Sequence, residues 1–187
     1  MSFLHNKAIN ILLFTNAIVM IAGAMLGPIY AIFVEEVGGD ILDASITGSI
    51  FFLATGITSI FSGKYVDKIK DPELILVAGY LITSVGYIFY IFVNSVWSLL
   101  IVQVIIGFAE AIYWPAYDAI YSRHVSLKKV GKEWGFWEAT SRFSIAIGSL
   151  IGGFIVYNFG FDTLFISMSL LSFSSAIYIY FLPRNIL

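Results

Sequence analysis

The residue best placed to do chemistry is an acid in the middle of a long apolar run. Glu110 stands in such a run, where an ionised side chain at the centre of a bilayer costs at least about 2.5–3.5 kcal/mol. Burial in hydrocarbon favours the neutral, protonated form of a carboxyl group. The position therefore predicts a proton site or a site for a cationic substrate. The structural alternative is a protonated glutamate hydrogen-bonded to a neighbouring helix.

Polar and aromatic side chains accompany this acid at helical spacing. Steps of three and four residues place them on one face of a helix, a mixture typical of a cavity wall: Gln103, Gly107, Glu110, Trp114, Tyr117 and Tyr121. Tyr113, Trp114 and Tyr117 are candidates to stack on an aromatic or cationic ligand, or alternatively to pack and anchor the helix. In the first apolar run, Thr15, Asn16 and Tyr30 are candidates for the same cavity. Asn16 is equally suited to hydrogen-bonding between helices.

A second set of residues suggests an ion pair. Glu138 and Arg142 are four residues apart with the acid first, the better orientation for a pair on a helix. An arginine within a membrane requires a carboxylate partner, and Asp118 is the other candidate for Arg142. We expect a structural or gating pair here, with a substrate anchor as the alternative.

The sequence lacks the residues that other kinds of chemistry require. The chain has no cysteine, and its two histidines, His5 and His124, are far apart in sequence, so neither thiol chemistry nor a metal site is expected. There is no Walker-type glycine loop and no constellation typical of an intramembrane enzyme. We therefore expect no cofactor and no enzymatic activity.

The elements that position these residues are membrane spans. Of the 187 residues, 59% are apolar and 12% are charged, against about 45–50% and 25% in soluble domains. At about 20 residues per span, the chain holds six spans and no soluble catalytic or nucleic-acid-binding domain. The uncharged runs predict an all-α membrane protein with helices near 8–33, 44–62, 74–93, 97–121, 135–157 and 161–182. A cleavable signal peptide is the alternative for the first run, but that run continues to Val34, longer than a signal segment.

The basic residues predict the orientation. With the N-terminus inside, nine of the ten lie on the cytoplasmic side and the tenth, Arg142, lies within the fifth span: Lys7, Lys64, Lys68, Lys70, Arg123, Lys128, Lys129, Lys132 and Arg184. The other side carries only acids: Glu35, Glu36, Asp40, Asp43 and Asp162. The positive-inside rule predicts a multi-pass protein of the cytoplasmic membrane with both termini in the cytoplasm.

The two halves of this single domain, 1–93 and 94–187, resemble each other. Pro28-Ile29-Tyr30 recurs as Pro115-Ala116-Tyr117, and a shift of 90 residues aligns Ile57, Ser59, Gly63 and Val66 with Ile147, Ser149, Gly153 and Val156. Because the first span runs outward and the fourth inward, these halves would be inverted 3+3 repeats, an arrangement found in secondary transporters.

With these features the chain resembles the N-terminal half of a major facilitator superfamily transporter. The loop Gly63-Lys64-Tyr65-Val66-Asp67-Lys68 is similar to the family's loop signature, although Ile69-Lys70-Asp71-Pro72 departs from it. Ser144, Gly148, Ser149, Gly152 and Gly153 resemble the small-residue motif of the family's antiporters, with Ser149 where proline is usual. Gln103 stands where many members carry arginine, which argues against the usual arginine-based proton coupling.

The resemblance implies a function and a partner. It implies a secondary active transporter of a small molecule, with antiport suggested by the small-residue motif. Asp67, with Lys68 beside it, is a candidate cytoplasmic gate because an acid can face the positive N-terminal end of a helix. The resemblance identifies that helix as helix 5 of the second copy, and a solvated loop acid is the alternative. Because family members have two six-helix halves, we expect two copies to form a parallel homodimer in the lipid bilayer. The alternatives are an uncoupled facilitator or channel, one half of a longer or heterodimeric transporter, and a non-transporting membrane scaffold. Close helix packing is the simpler expectation for Gly148, Gly152 and Gly153, and a bend that switches access is the alternative.

Overall fold

The computed structural model describes residues 6–183 and residue 186; His5 and Arg184 lie outside this range. The helices are α1 (Lys7–Leu26), α2 (Tyr30–Glu36), α3 (Ile41–Val66), α4 (Pro72–Phe89), α5 (Val96–His124) and α6 (Val130–Tyr180), with short 3₁₀ turns at Gly27–Ile29 and Tyr90–Phe92. All regular secondary structure in the described range is helical, which confirms the all-α prediction.

Five helical segments are long and apolar enough to cross a membrane: Lys7–Glu36, Ile41–Val66, Pro72–Phe92, Val96–His124 and Val130–Tyr180. The first four match the first four predicted spans to within a few residues. The predicted fifth and sixth spans both fall in α6, a segment of 51 residues whose backbone is non-helical at Gly160.

A reversal of the chain divides α6. Gly160 lies inside it with φ 80° and ψ 175°, a left-handed conformation that favours glycine. In a straight helix residues 148 and 175 would lie about 40 Å apart. Yet Gly148 lies against the backbone of Ile21, and the Ser175 hydroxyl donates to the Thr15 carbonyl oxygen at 3.2 Å, only two turns away on α1. Both parts of α6 therefore flank α1.

Local capping fixes where the helices begin. Asp40 and Asp43 form a capping box at the start of α3, and Ser95 and Ser98 form another at the start of α5. Each box satisfies amide groups that have no partner within the helix. The second box begins at Ser95, in the gap between the predicted spans 74–93 and 97–121.

The bundle has two chemically different ends. At one end the segment 37–40 lies beside the start of α5, because a side chain at Gly39 would meet Val96; we call this the acidic end, since Glu35, Glu36 and the α3 cap lie there. At the other end Asn6 Nδ2 donates to the His124 carbonyl oxygen at 3.0 Å. We call this the basic end, since it carries the lysine-bearing segments 67–71 and 125–129.

The helices pack in four main pairs: α1 with α6, α3 with α5, α4 with α5, and α4 with α6. One apolar core lies towards each end. α3 is covered on a narrow side only, since Thr47 and Val66 are the only buried residues among its 26.

Candidate functional site

A cavity of about 520 Å³ lies in the half of the bundle nearer the acidic end. Residues of α1, α3, α4 and α5 form most of its wall, and the lining comprises Gly23, Leu26, Gly27, Tyr30, Gly48, Phe51, Phe52, Tyr87, Tyr90, Gln103, Ile106, Glu110 and Met168. Three of the predicted cavity residues, Tyr30, Gln103 and Glu110, are brought together here. The wall is mostly apolar with a few polar groups, as is usual for small-molecule sites.

A chain of hydrogen bonds orients the polar part of the wall. Gln103 Nε2 donates to the Tyr30 hydroxyl, which donates to Thr47 Oγ1 at 2.6 Å. Thr47 Oγ1 in turn donates to the Asp43 carbonyl oxygen at 2.7 Å. This chain joins α5, α2 and α3, so it fixes the positions of three helices around the cavity.

Glu110 is the only charged side chain among the described lining residues. It lies about 21 Å from either end of α5, at 1.5 Å per residue, and therefore at mid-span. The Tyr113 hydroxyl lies 3.5 Å from Oε1 as a long hydrogen-bond donor. A carboxyl group in an apolar cavity at this depth is suited to binding a proton or a cation.

The other predicted cavity residues, including Thr15, Gly107 and Tyr121, lie outside this lining. Asn16 is 2% exposed, and its Oδ1 accepts from the Tyr80 hydroxyl at 3.3 Å, so it bridges α1 and α4. Tyr113, Trp114 and Tyr117 belong to a cluster of rings nearer the basic end, which we call the aromatic layer. Its members have neighbouring centroids 5.0–6.2 Å apart: Tyr80, Tyr113, Trp114, Tyr117, Tyr121, Trp134 and Trp137.

The Glu138 and Arg142 side chains pair as the spacing predicts. Arg142 Nε donates to Glu138 Oε1 at 2.7 Å, and the Arg142 side chain remains 73% exposed and that of Glu138 49% exposed. Arg142 lies about 18 Å along α6 from its start, well inside a span. Asp118, the other candidate partner, is exposed near the basic end of α5, and Asp67 and Lys68 are exposed at the end of α3.

The small residues of α6 divide into two groups. Gly148 and Gly152 lie against the α1 backbone, where a Cβ atom on Gly152 would lie 2.5 Å from the Met25 carbonyl carbon. Ser149 Oγ approaches the Ala24 carbonyl oxygen at 3.5 Å. Gly153 faces open space, with nothing within 4 Å of such a Cβ.

Several cavity residues have no signal in the sequence. No motif distinguishes the lining residues Gly48, Tyr87 and Tyr90, or Thr47, which accepts from Tyr30. All four are residue types common throughout apolar spans. The one sequence feature that could have pointed to Thr47 is its position one turn after the capping box of α3.

Comparison with known proteins places the chain in a family. A model of the Major Facilitator Superfamily matches residues 12–186. Proteins named "Multidrug resistance protein MdtG" are similar to it: that of Enterobacter lignolyticus is 22% identical over 175 residues (92% of this chain, 42% of the relative), and that of Proteus mirabilis is 23% identical over 181 residues (95% and 45%). The chain thus spans less than half the length of these relatives. With its apolar helices and a family match over nearly all of its length, the chain is a multi-pass membrane protein that belongs to the Major Facilitator Superfamily, a family of transporters rather than enzymes.

Proposed function

We propose that the chain is a six-span half of a secondary active transporter that moves a small molecule by alternating access. The observation that carries this proposal is the convergence of Glu110, Gln103 and Tyr30 in one cavity at mid-span. The reversal at Gly160 supports counting α6 as two spans, so that 1–93 and 94–187 are the two three-helix repeats. Both termini are then on the same side, and the distribution of basic residues favours the cytoplasm.

For the transported compound, we propose proton-coupled antiport of a cationic or amphipathic molecule. Glu110 is the only charged side chain among the described residues of a mostly apolar and aromatic wall, which would favour a positively charged guest. The relatives are named for multidrug resistance, which supports small organic molecules as substrates.

The test is transport into vesicles at two pH values with Glu110→Gln. This change keeps the shape of the side chain and removes its titration, so we expect pH-dependent transport to be lost. Glu36→Gln is the matched control, because Glu36 is an exposed acid at the acidic end. Unchanged pH dependence in Glu110→Gln would contradict the proton role. A change of selectivity without a change in pH dependence would favour an uncoupled facilitator.

The partner side of the proposal is a parallel homodimer. α3 and the first part of α6 are largely uncovered, and the exposed Arg142–Glu138 pair lies within a span. Charged groups at this depth normally face protein or water rather than lipid, so a second bundle on this face would shield them. The second candidate, a half of a longer or heterodimeric transporter, is favoured by the relatives' more than twofold length.

Mass measurement in detergent and cross-linking distinguish these possibilities. A dimer that transports supports the homodimer, whereas a strictly monomeric chain that transports alone contradicts it. Transport that requires a different co-expressed half would support the second candidate.

A further inference from the structure

Two hydrogen bonds between helices repeat at one sequence offset. Ser62 Oγ on α3 donates to the Ala111 carbonyl oxygen on α5, and Ser149 Oγ on α6 donates to the Ala24 carbonyl oxygen on α1. The two serines are 87 residues apart, and so are the two alanines; this offset is three residues shorter than the shift of 90 that pairs Ser149 with Ser59. Each bond is therefore the other with the two halves of the chain exchanged. The same offset relates Pro28 to Pro115.

The offset also relates two pairs of polar residues that touch the cavity or the aromatic layer. Tyr30 corresponds to Tyr117, and Gln103 corresponds to Asn16. The contact of Tyr30 with Gln103 thus has a counterpart in which Tyr117 would meet Asn16. Both contacts consist of a tyrosine hydroxyl and a side-chain amide, one residue from each half.

The two equivalent pairs are in different states. The Tyr30 hydroxyl is bonded to both Gln103 and Thr47. The Tyr117 hydroxyl is fully buried and makes no hydrogen bond of good geometry among the described residues; the Trp137 indole N–H, which is also unsatisfied, lies near it. A buried hydroxyl without a partner is costly, so its presence calls for an explanation. Meanwhile Asn16 Oδ1 is occupied by a long bond from Tyr80.

The surroundings of the two tyrosine–amide pairs differ as well. The bonded pair lies at the cavity near the acidic end, and the unbonded pair lies where the aromatic layer is closed. The serine contacts differ too, since Ser62 lies close to Ala111 whereas Ser149 is 3.5 Å from Ala24. Equivalent halves in unequal conformations can exchange them, which gives a second state of comparable energy with the cavity at the opposite end.

We propose that the Tyr30–Gln103 and Tyr117–Asn16 contacts are alternating latches. In the present state the Tyr30–Gln103 contact is closed. In the opposite state the Tyr117–Asn16 contact closes and the Tyr30–Gln103 contact opens. In the present state the Tyr117 hydroxyl lacks a well-formed hydrogen bond because its contact with Asn16 belongs to the other state. This inference rests on the proposed alternating access and names the residues that bias it.

The natural absence of cysteine makes the test direct. Gly48→Cys places a thiol in the cavity wall, where a Cβ meets nothing within 4 Å. Ala119→Cys places one among the partly buried residues on the core near the basic end. The rate of alkylation by a charged, water-soluble maleimide is measured for each reporter in the full chain, reconstituted in phosphatidylethanolamine–phosphatidylglycerol vesicles. Each is combined with Tyr30→Phe or Tyr117→Phe, which remove one oxygen atom from equivalent positions.

We expect opposite shifts. Tyr30→Phe should slow the Gly48→Cys reporter and speed the Ala119→Cys reporter, because the present state loses its latch; Tyr117→Phe should do the reverse. Each alkylation rate should change about fivefold, because each substitution removes one hydrogen bond from only one of the two states.

Shifts in the same direction, or no response to Tyr117→Phe, would overturn the latch proposal, and transport in the same vesicles would show whether the proposed function survives. Opposite shifts in a chain that does not transport would support the latches and count against the transport function.

Discussion

Gly152 and Gly153 are adjacent on α6 but meet different surroundings, which makes them a matched pair for testing how α1 and α6 are held together. A Cβ atom added at Gly152 would lie 2.5 Å from the carbonyl carbon and 2.6 Å from the Cα atom of Met25, whereas one added at Gly153 meets nothing within 4 Å. Ordinary carbon–carbon contact requires about 3.5–4.0 Å. Gly152→Ala therefore forces α1 and α6 apart by roughly 1 Å, since backbone atoms cannot rotate away.

The expected cost follows from this displacement. Overpacking a well-packed site lowers the free energy of unfolding by about 1–3 kcal/mol. Alanine gains about 1 kcal/mol over glycine from helix propensity, but this gain is common to both variants and cancels in their difference. Gly152→Ala should thus be about 1–3 kcal/mol less stable than Gly153→Ala.

Thermal unfolding in one detergent, followed by tryptophan fluorescence, measures that difference. At roughly 2–4 °C per kcal/mol for a chain of this size, a gap of several degrees in Tm is expected. Equal Tm values for the two variants would refute the claim that the α1–α6 contact depends on the absence of a side chain at Gly152. Reversible unfolding of both variants is the necessary control.

Three further changes test other contacts by the same measurement. Phe33→Ala removes a ring that lies 5.0–5.7 Å from three other aromatic rings and should cost about 3–5 kcal/mol; Phe92→Ala, at a ring that is 69% exposed, should cost little. Glu133→Ala removes the buried carboxylate that accepts from the Ser126 amide at 2.8 Å; a loss of about 1–3 kcal/mol is expected, with faster proteolysis of the 125–129 connection, and unchanged proteolysis would contradict this anchoring. Ser84→Ala breaks the buried α4–α6 bonds and should cost about 0.6–1 kcal/mol; a larger loss would point to a wider rearrangement.

The spans were predictable because the bilayer imposes length and composition on every crossing segment. The Glu138–Arg142 pair was predictable for a similar reason, since both residues are on one helix and their geometry is local. The division at Gly160 was predictable too, since the predicted spans 135–157 and 161–182 are separated at residues 158–160, where the backbone of Gly160 is non-helical.

The cavity could be predicted only in part, because its membership depends on which neighbour each face meets. Helical periodicity places Gln103, Glu110 and Tyr117 on one stripe, but α5 passes from the cavity into the aromatic layer along its length. Gln103 and Glu110 therefore line the cavity, and Tyr117 is buried among other rings. Asn16 is turned towards Tyr80 on α4, a contact between residues 64 positions apart that no local pattern encodes.

Polar residues in these spans have two roles that composition cannot separate. In lipid, apolar contact between helices gives little net driving force, so small residues and interhelical hydrogen bonds supply much of the specificity. Ser84 and Ser175 show the first role, since each is buried and bonded to another helix. Glu110 shows the second, because it lines a cavity and its hydrogen bond from the Tyr113 hydroxyl is long, at 3.5 Å. A polar residue whose bonding capacity is satisfied by neighbouring helices holds the bundle together, whereas one left unsatisfied at mid-span is available to a ligand, a proton or a second conformation. By this criterion Glu110, Tyr117 and Ser172 are positions within the described spans whose hydrogen-bonding capacity is open to change.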